Sequence, residues 1–259
     1  MAGMRLELIA VFTLGALLSP DRLAAQPPAA PGLELAPCRI SDMRGLVSVA
    51  ARCGRFAVPE DPDDPDGKRI ELAVAVVPAI ATRAKPDPLF LLAGGPGQGA
   101  VEGFVPLLGA FDGIHRERDL VMVDQRGTGG SNRLDCAMPD DTLESDQISP
   151  AEIRKLGKEC LAKLPGRPAF YTTSIAVRDL DAVRAALGYE SINLLGGSYG
   201  TRVAQHYARR YPAHTRTITI DSIVPPALPL VPLIAIEAQR ALERVFARCA
   251  ADPECSEHF

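Results

Sequence analysis

Four short apolar runs constrain this chain more than any other feature: Leu89-Phe90-Leu91-Leu92, Leu120-Val121-Met122-Val123, Ile192-Asn193-Leu194-Leu195 and Thr217-Ile218-Thr219-Ile220. Each is short and mostly apolar, so each reads as a strand buried on both sides, the environment of a parallel sheet covered by helices. A helical pattern lies ahead of the third run, where Ile175, Val177, Leu180, Val183, Ala186 and Leu187 recur at helical spacing. Thr173 or Ser174 is its expected N-cap and Gly188 its stop. Strand, helix and strand joined by short connections predict a doubly wound α/β sheet with right-handed crossovers. Upstream, Ile70, Leu72, Val74 and Val76 alternate with Glu71, Ala73 and Ala75, the signature of a strand with unlike faces. That strand, Arg69 to Ala79, is expected at an outer position, with Arg55 to Val58 as its hairpin partner across the turn-rich Pro59 to Gly67. At 259 residues, 47% of them hydrophobic, the chain can build one large core.

The first thirty residues have a separate logic. Arg5, an apolar run from Leu8 to Leu18, Ser19-Pro20 and the small residues Ala24-Ala25 are the parts of a secretory signal, with removal expected near Ala25. The 11 residues of that run are too few to cross a hydrocarbon core that needs roughly 20. A mature protein without a membrane anchor, secreted or periplasmic, is therefore expected. Residues 26–37, rich in proline, read as a flexible lead-in, residues 38–224 as the α/β core, and residues 225–259 as the start of an inserted cap. The last reading rests on Pro225, Pro226, Pro229 and Pro232, followed by a helix-like run from Leu233 to Ala250. A net charge of −4 with scattered basic residues carries no footprint for nucleic acid or an anionic membrane.

Six cysteines fit export: Cys38, Cys53, Cys136, Cys160, Cys249 and Cys255. Six permit 15 pairings in principle, and their clustering favours the sequential one. It would staple Cys38 to Cys53, Cys136 to Cys160 across a long excursion, and Cys249 to Cys255. Free buried thiols and a zinc site are the alternatives. No Cys-x-x-Cys or His-x-x-x-His spacing supports metal, and no cofactor is expected.

Three motifs carry chemistry. Gly196-Gly197-Ser198-Tyr199-Gly200 follows an apolar strand and opens a helical stretch, Thr201 to Tyr211. This is the setting of a nucleophile elbow, in which Ser198 sits on a strained turn, Gly196 and Gly200 let strand and helix approach, and the helix amides favour a developing oxyanion. An ordinary glycine-rich turn or a phosphate loop is the plainer alternative, the latter disfavoured by the missing lysine. The second motif, Gly94-Gly95-Pro96-Gly97, follows an upstream strand, where an oxyanion loop belongs. Acyl transfer needs two amides converging on one oxygen; Tyr199 supplies the first and Gly95 is the candidate for the second. Third, Asp124-Gln125-Arg126-Gly127-Thr128-Gly129 ends another strand, and Asp124 and Arg126 read as structural support for these loops through charge-assisted hydrogen bonds.

Taken in this order, the three motifs resemble those of the prolyl iminopeptidase and tripeptidyl aminopeptidase family of α/β-hydrolase serine peptidases. Cys53-Gly54 with Val58-Pro59, and the Cys249 to Cys255 turn, are similar to the secreted tripeptidyl aminopeptidase branch. The resemblance runs from about Cys38 onward and implies an α/β-hydrolase fold, a peptide substrate cleaved near its free N-terminus, and an acyl-enzyme on Ser198. Ala93 stands where iminopeptidases often carry histidine, which argues against strict proline specificity.

In this fold the triad order is serine, acid, histidine on successive later strands, yet no strand is legible after Ile220. His115 precedes the elbow; His206 lies eight residues beyond Ser198, about 12 Å along a helix axis; His214 and His258 fit no better. Asp221 ends a strand, but the resemblance places the acid later and implies a structural role here. The chain thus reads as an N-terminal part whose acid and histidine lie elsewhere, inactive alone and poorly soluble through an unpaired sheet edge. An esterase of the same fold, or a non-catalytic binding domain, are the competing functions.

Overall fold

The computed structural model describes residues 33–42, 44–136 and 148–258. The expected signal segment and the lead-in through residue 32 lie outside them. β1 (Ala36–Ser41), β2 (Ser48–Pro59) and β3 (Arg69–Val77) form an antiparallel meander. β4 (Leu89–Leu92) leads into α1 (Ala100–Phe104), a 3₁₀ turn (Val105–Phe111) and α2 (Asp112–His115), and then β5 (Leu120–Val123). After the excursion carrying α3 (Pro150–Lys163) come α4 (Thr173–Ala186), β6 (Ile192–Gly197), α5 (Tyr199–Arg210) and β7 (Thr215–Asp221). α6 (Leu230–Ala251) and α7 (Pro253–His258) follow.

One seven-stranded sheet results, in the order β1-β2-β3-β5-β4-β6-β7. β5, β4, β6 and β7 are mutually parallel, while β3 joins β5 antiparallel. Three of the short apolar runs, on β5, β4 and β6, are its centre, and their pleat explains why they lack a polar face; the fourth, Thr217 to Ile220, is largely exposed rather than buried on both sides, because β7 is the last strand of the sheet among the described residues. Phe90, Leu92, Val121, Val123 and Leu194 pack beneath α4 and α5 against Val177, Leu180, Val183, Val203 and Ala204. Leu89, Leu91, Leu120 and Met122 point the other way, onto Ala100, Phe104, Val105 and Leu108. Each such side chain gains about 1.5–3 kcal/mol by leaving water.

Two expectations need correction. β3 is interior, third from the sheet end, because β1 and β2 extend the sheet beyond it. β1, Ala-Pro-Cys-Arg-Ile-Ser, alternates only weakly, with Ala36, Cys38 and Ile40 on one face and Ile40 buried in the core; the backbone ladder and the Cys38–Cys53 bond join it to β2. The cap of α4 is Thr172, whose Oγ1 accepts from the Ile175 amide at 3.4 Å; Thr173 and Ser174 are already helical. The hydroxyl of Thr173 is thereby free for another partner.

The cysteines pair sequentially, Cys38–Cys53, Cys136–Cys160 and Cys249–Cys255. The second tethers α3, which starts in a capping box between Ser149 and Glu152. β7 is the other sheet edge, and Ile218 and Ile220 on it are more than a third exposed. α6 presents Ile234, Val245 and Phe246 to solvent. Among the described residues no helix is long and apolar enough to cross a membrane.

Candidate active site

The elbow is built where β6 meets α5. Ser198 adopts φ 52° and ψ −119°, a left-handed backbone that costs a non-glycine residue on the order of 1–3 kcal/mol and persists only where the surroundings enforce it. Those surroundings are close. A methyl group added at Gly200 would lie 2.1 Å from the Leu92 carbonyl oxygen, and one at Gly196 would lie 2.3 Å from the Gly200 oxygen. Strand β4, strand β6 and the first turn of α5 therefore touch backbone to backbone, a contact only glycine permits. The turn is held from below by the Ser198 amide, which donates to the Asp221 carbonyl at 2.9 Å. From above, the Ser198 carbonyl accepts from the Thr201 amide at 3.0 Å and from Thr201 Oγ1 at 2.6 Å.

The Ser198 side chain is exposed at the carboxyl edge of the parallel strands. The glycine loop after β4 lies against it: a methyl group added at Gly94 would sit 3.2 Å from Ser198 Cβ and 3.8 Å from Oγ. Within that loop Gly95 has φ +101° and Gly97 φ +113°, and the Gly95-Pro96 bond is cis. Tyr199, the first residue of α5, is buried and lines a cavity together with Gly94 and Gly97, and its hydroxyl lies 2.6 Å from Thr173 Oγ1. Ser198, Gly94, Gly95, Pro96, Gly97, Tyr199, Gly196 and Gly200 thus form one neighbourhood.

Asp124 and Arg126 sit behind it. The Asp124 carboxylate is 5% exposed and bridges two loops, accepting from the Val101 amide at 3.1 Å and the Gly130 amide at 2.8 Å. The first of those amides belongs to the opening turn of α1, directly after the glycine loop. Arg126 is 2% exposed and spends all five donors. Nε and Nη2 grip the Asp179 carboxylate at 2.6 and 2.8 Å; the others reach the carbonyls of Glu60, Phe170 and Pro59 at 2.8, 3.0 and 3.2 Å. Burial raises the Asp179 carboxyl above its ordinary value, while the Arg126 hydrogen bonds and charge oppose the rise. Sequence reading missed Asp179, although a carboxylate within the apolar stripe of Ala176, Leu180 and Val183 was a signal that something must neutralise it. It also missed Glu60, 1% exposed, which accepts from the Tyr171 hydroxyl and the Arg167 amide at 3.0 Å each. Burial and that carboxylate push the Tyr171 phenol up to about 12.

The histidines are elsewhere. His214 Nδ1 is 2.8 Å from Asp181 Oδ1, a histidine–carboxylate pair at the opening of β7. Asp221, at the far end of that strand, is the ladder partner of Gly197, so the pair is roughly 20 Å from the elbow at 3.3 Å per residue. Burial pushes the Asp181 carboxyl up, but hydrogen bonds from Arg184, Tyr207 and His214 and the Arg184 charge outweigh it and hold it below the usual range. His115 Nε2 lies 2.8 Å from the Pro78 carbonyl. His206 is half-buried on α5, and burial together with Arg210 and Arg209 lowers its pKa. His258 is exposed on α7. Among the described residues no histidine is hydrogen-bonded to Ser198, and the side chain of Asp221 accepts from its neighbour Ser222 at 3.2 Å. Among the described residues no cluster of potential metal ligands occurs.

Comparison with known proteins gives the following. The alpha/beta hydrolase fold family matches residues 87–256. Serine protease Hip1 of Mycobacterium tuberculosis is 32% identical over 89% of this chain and 48% of its own length. Tripeptidyl aminopeptidase of Streptomyces coelicolor is 31% identical over 68% of this chain and 36% of its own. Carboxylesterase B of Mycobacterium tuberculosis is 35% identical over 79% and 43%. The chain spans about half the length, or less, of these curated relatives.

Proposed function

Because the chain belongs to the α/β-hydrolase fold family, we propose that it provides the nucleophile and oxyanion hole of a serine hydrolase of the aminopeptidase type. Ser198 Oγ attacks the carbonyl carbon of the scissile bond and forms a new C–O bond, its proton passing to a general base. The carbonyl oxygen takes up negative charge and is met by the amides of Tyr199 and Gly95. Collapse expels the amine with a proton and leaves an acyl-enzyme. Water then cleaves that ester and regenerates Ser198. The single observation that carries this reading is the exposed serine in a strained left-handed turn, pressed against the Gly94 loop. The peptide substrate is supported by the names of two relatives, a serine protease and a tripeptidyl aminopeptidase.

The described residues bring no base to Ser198, so the 259-residue chain by itself is proposed to lack appreciable turnover, since losing triad members costs several orders of magnitude. Export to a secreted or periplasmic location is proposed from the three disulfides, which persist in oxidising compartments.

A second reading, an esterase, is favoured by the likeness to a carboxylesterase, because an elbow and oxyanion loop serve esters as readily as amides. Full-length protein assayed on tripeptidyl and aminoacyl p-nitroanilides beside p-nitrophenyl esters separates the two. The aminopeptidase reading expects amide turnover that Ser198→Ala abolishes; turnover confined to esters would replace it with the second.

A further inference from the structure

The residue after the nucleophile contributes a side chain as well as an amide. The Tyr199 ring is 8% exposed and borders a cavity of about 30 Å³, lined also by Gly94, Gly97, Asp124 and Ala176. That is room for about one water. Protein interiors normally fix a ring by close packing on every side, and a ring beside a void lacks contact atoms there. On the other side Tyr199 packs into the hydrophobic core, and its hydroxyl adds a directional anchor, 2.6 Å from Thr173 Oγ1 on the first turn of α4. Thr173 is available because Thr172 does the capping.

We propose that Thr173 is a positioning residue of the oxyanion hole. Acting through the Tyr199 hydroxyl, it fixes the Tyr199 ring and, with it, the opening turn of α5 whose leading amide faces the reacting oxygen. The inference rests on the role proposed above for Ser198 and Tyr199. Since loss of a whole donor costs about 100- to 1,000-fold in kcat, loosening the Tyr199 donor without removing it is expected to cost roughly 10- to 100-fold. Substrate binding by more distant groups is untouched, so KM stays within about twofold.

The test uses full-length protein carrying Thr173→Val, Thr173→Ser, Tyr199→Phe, the Thr173→Val/Tyr199→Phe pair, and Ser198→Ala. Thr173→Val and Tyr199→Phe should each lower kcat by that factor, the pair should be no worse than either alone, and Thr173→Ser, which keeps the hydroxyl, should recover most of the rate. A crystal structure of Thr173→Val should show the ring moved toward the cavity. Wild-type kcat in both single variants, a change confined to KM, or an unmoved ring overturns the inference. Should Thr173→Val fail to fold, Tyr199→Phe, which preserves the ring, decides the kinetic question. Ser198→Ala separates the layers: if it keeps activity, the serine-hydrolase reading falls; if it is inactive while Thr173→Val and Tyr199→Phe are normal, only the positioning role falls.

Discussion

Replacing Arg126 by methionine should destabilise the protein by about 3–5 kcal/mol at neutral pH, the cost of leaving a buried carboxylate without its partner. Methionine fills much of the arginine stem's space, so the loss isolates the charge and its hydrogen bonds. Asp179, with 9% of its side chain exposed, would lose its bidentate contact, and three backbone carbonyls would lose a donor. Unfolding in urea measures the difference, and a thermal melt should fall by roughly 6–20 °C for a domain of this size. The pH dependence carries the diagnosis. Burial already raises the Asp179 carboxyl, and removing Arg126 raises it further above its unfolded value of about 3.9. A group with a raised folded pKa favours the folded state while protonated and penalises it once ionised. The deficit of Arg126→Met should therefore be full at pH 7–8 and shrink as pH falls toward the ordinary carboxylate range. The double variant Arg126→Met/Asp179→Leu should regain most of the loss. A cost below about 1 kcal/mol, or one that does not change with pH, would refute the reasoning.

Other outcomes follow from the same structure. Gly200→Ala drives a methyl group to 2.1 Å from the Leu92 oxygen and should cost several kcal/mol, on the order of 3 or more, read as a lowered melt or lost soluble yield. Removing the Cys38–Cys53 bond by a double serine substitution should cost about 3 kcal/mol for its 15-residue separation, measured in denaturant. The 259-residue chain alone should associate through β7 and the exposed Ile218 and Ile220 on it; a monomeric species by size exclusion with a cooperative melt would count against that.

The central strands were legible because burial on both faces leaves continuous apolar runs, as in Leu89 to Leu92. β1 was not, since its apolar face is only Ala36, Cys38 and Ile40, and an edge strand that short is placed by ladder bonds and a disulfide to a partner further along the chain. The interior place of β3 was hidden for the same reason: alternation reports unlike faces, not how many strands lie outside. In the site, glycine spacing pointed to the elbow because backbone contact at Gly196 and Gly200 leaves room for nothing else, and to the loop because Gly95 and Gly97 take positive φ. Asp179 went unassigned, and Thr173 was read as a cap instead of a site residue, because their partners, Arg126 and Tyr199, lie 53 and 26 residues away. Spacing along a helix also could not tell that Thr172 is the cap, leaving Thr173 for Tyr199.

The central claim is that the Ser198 hydroxyl is the attacking group. Full-length protein treated with a fluorophosphonate and analysed by peptide mass spectrometry tests it most directly. The account predicts one adduct, on the peptide containing Ser198, and none in Ser198→Ala. Hydrolytic activity with no adduct there, or an adduct that persists in Ser198→Ala, would contradict it.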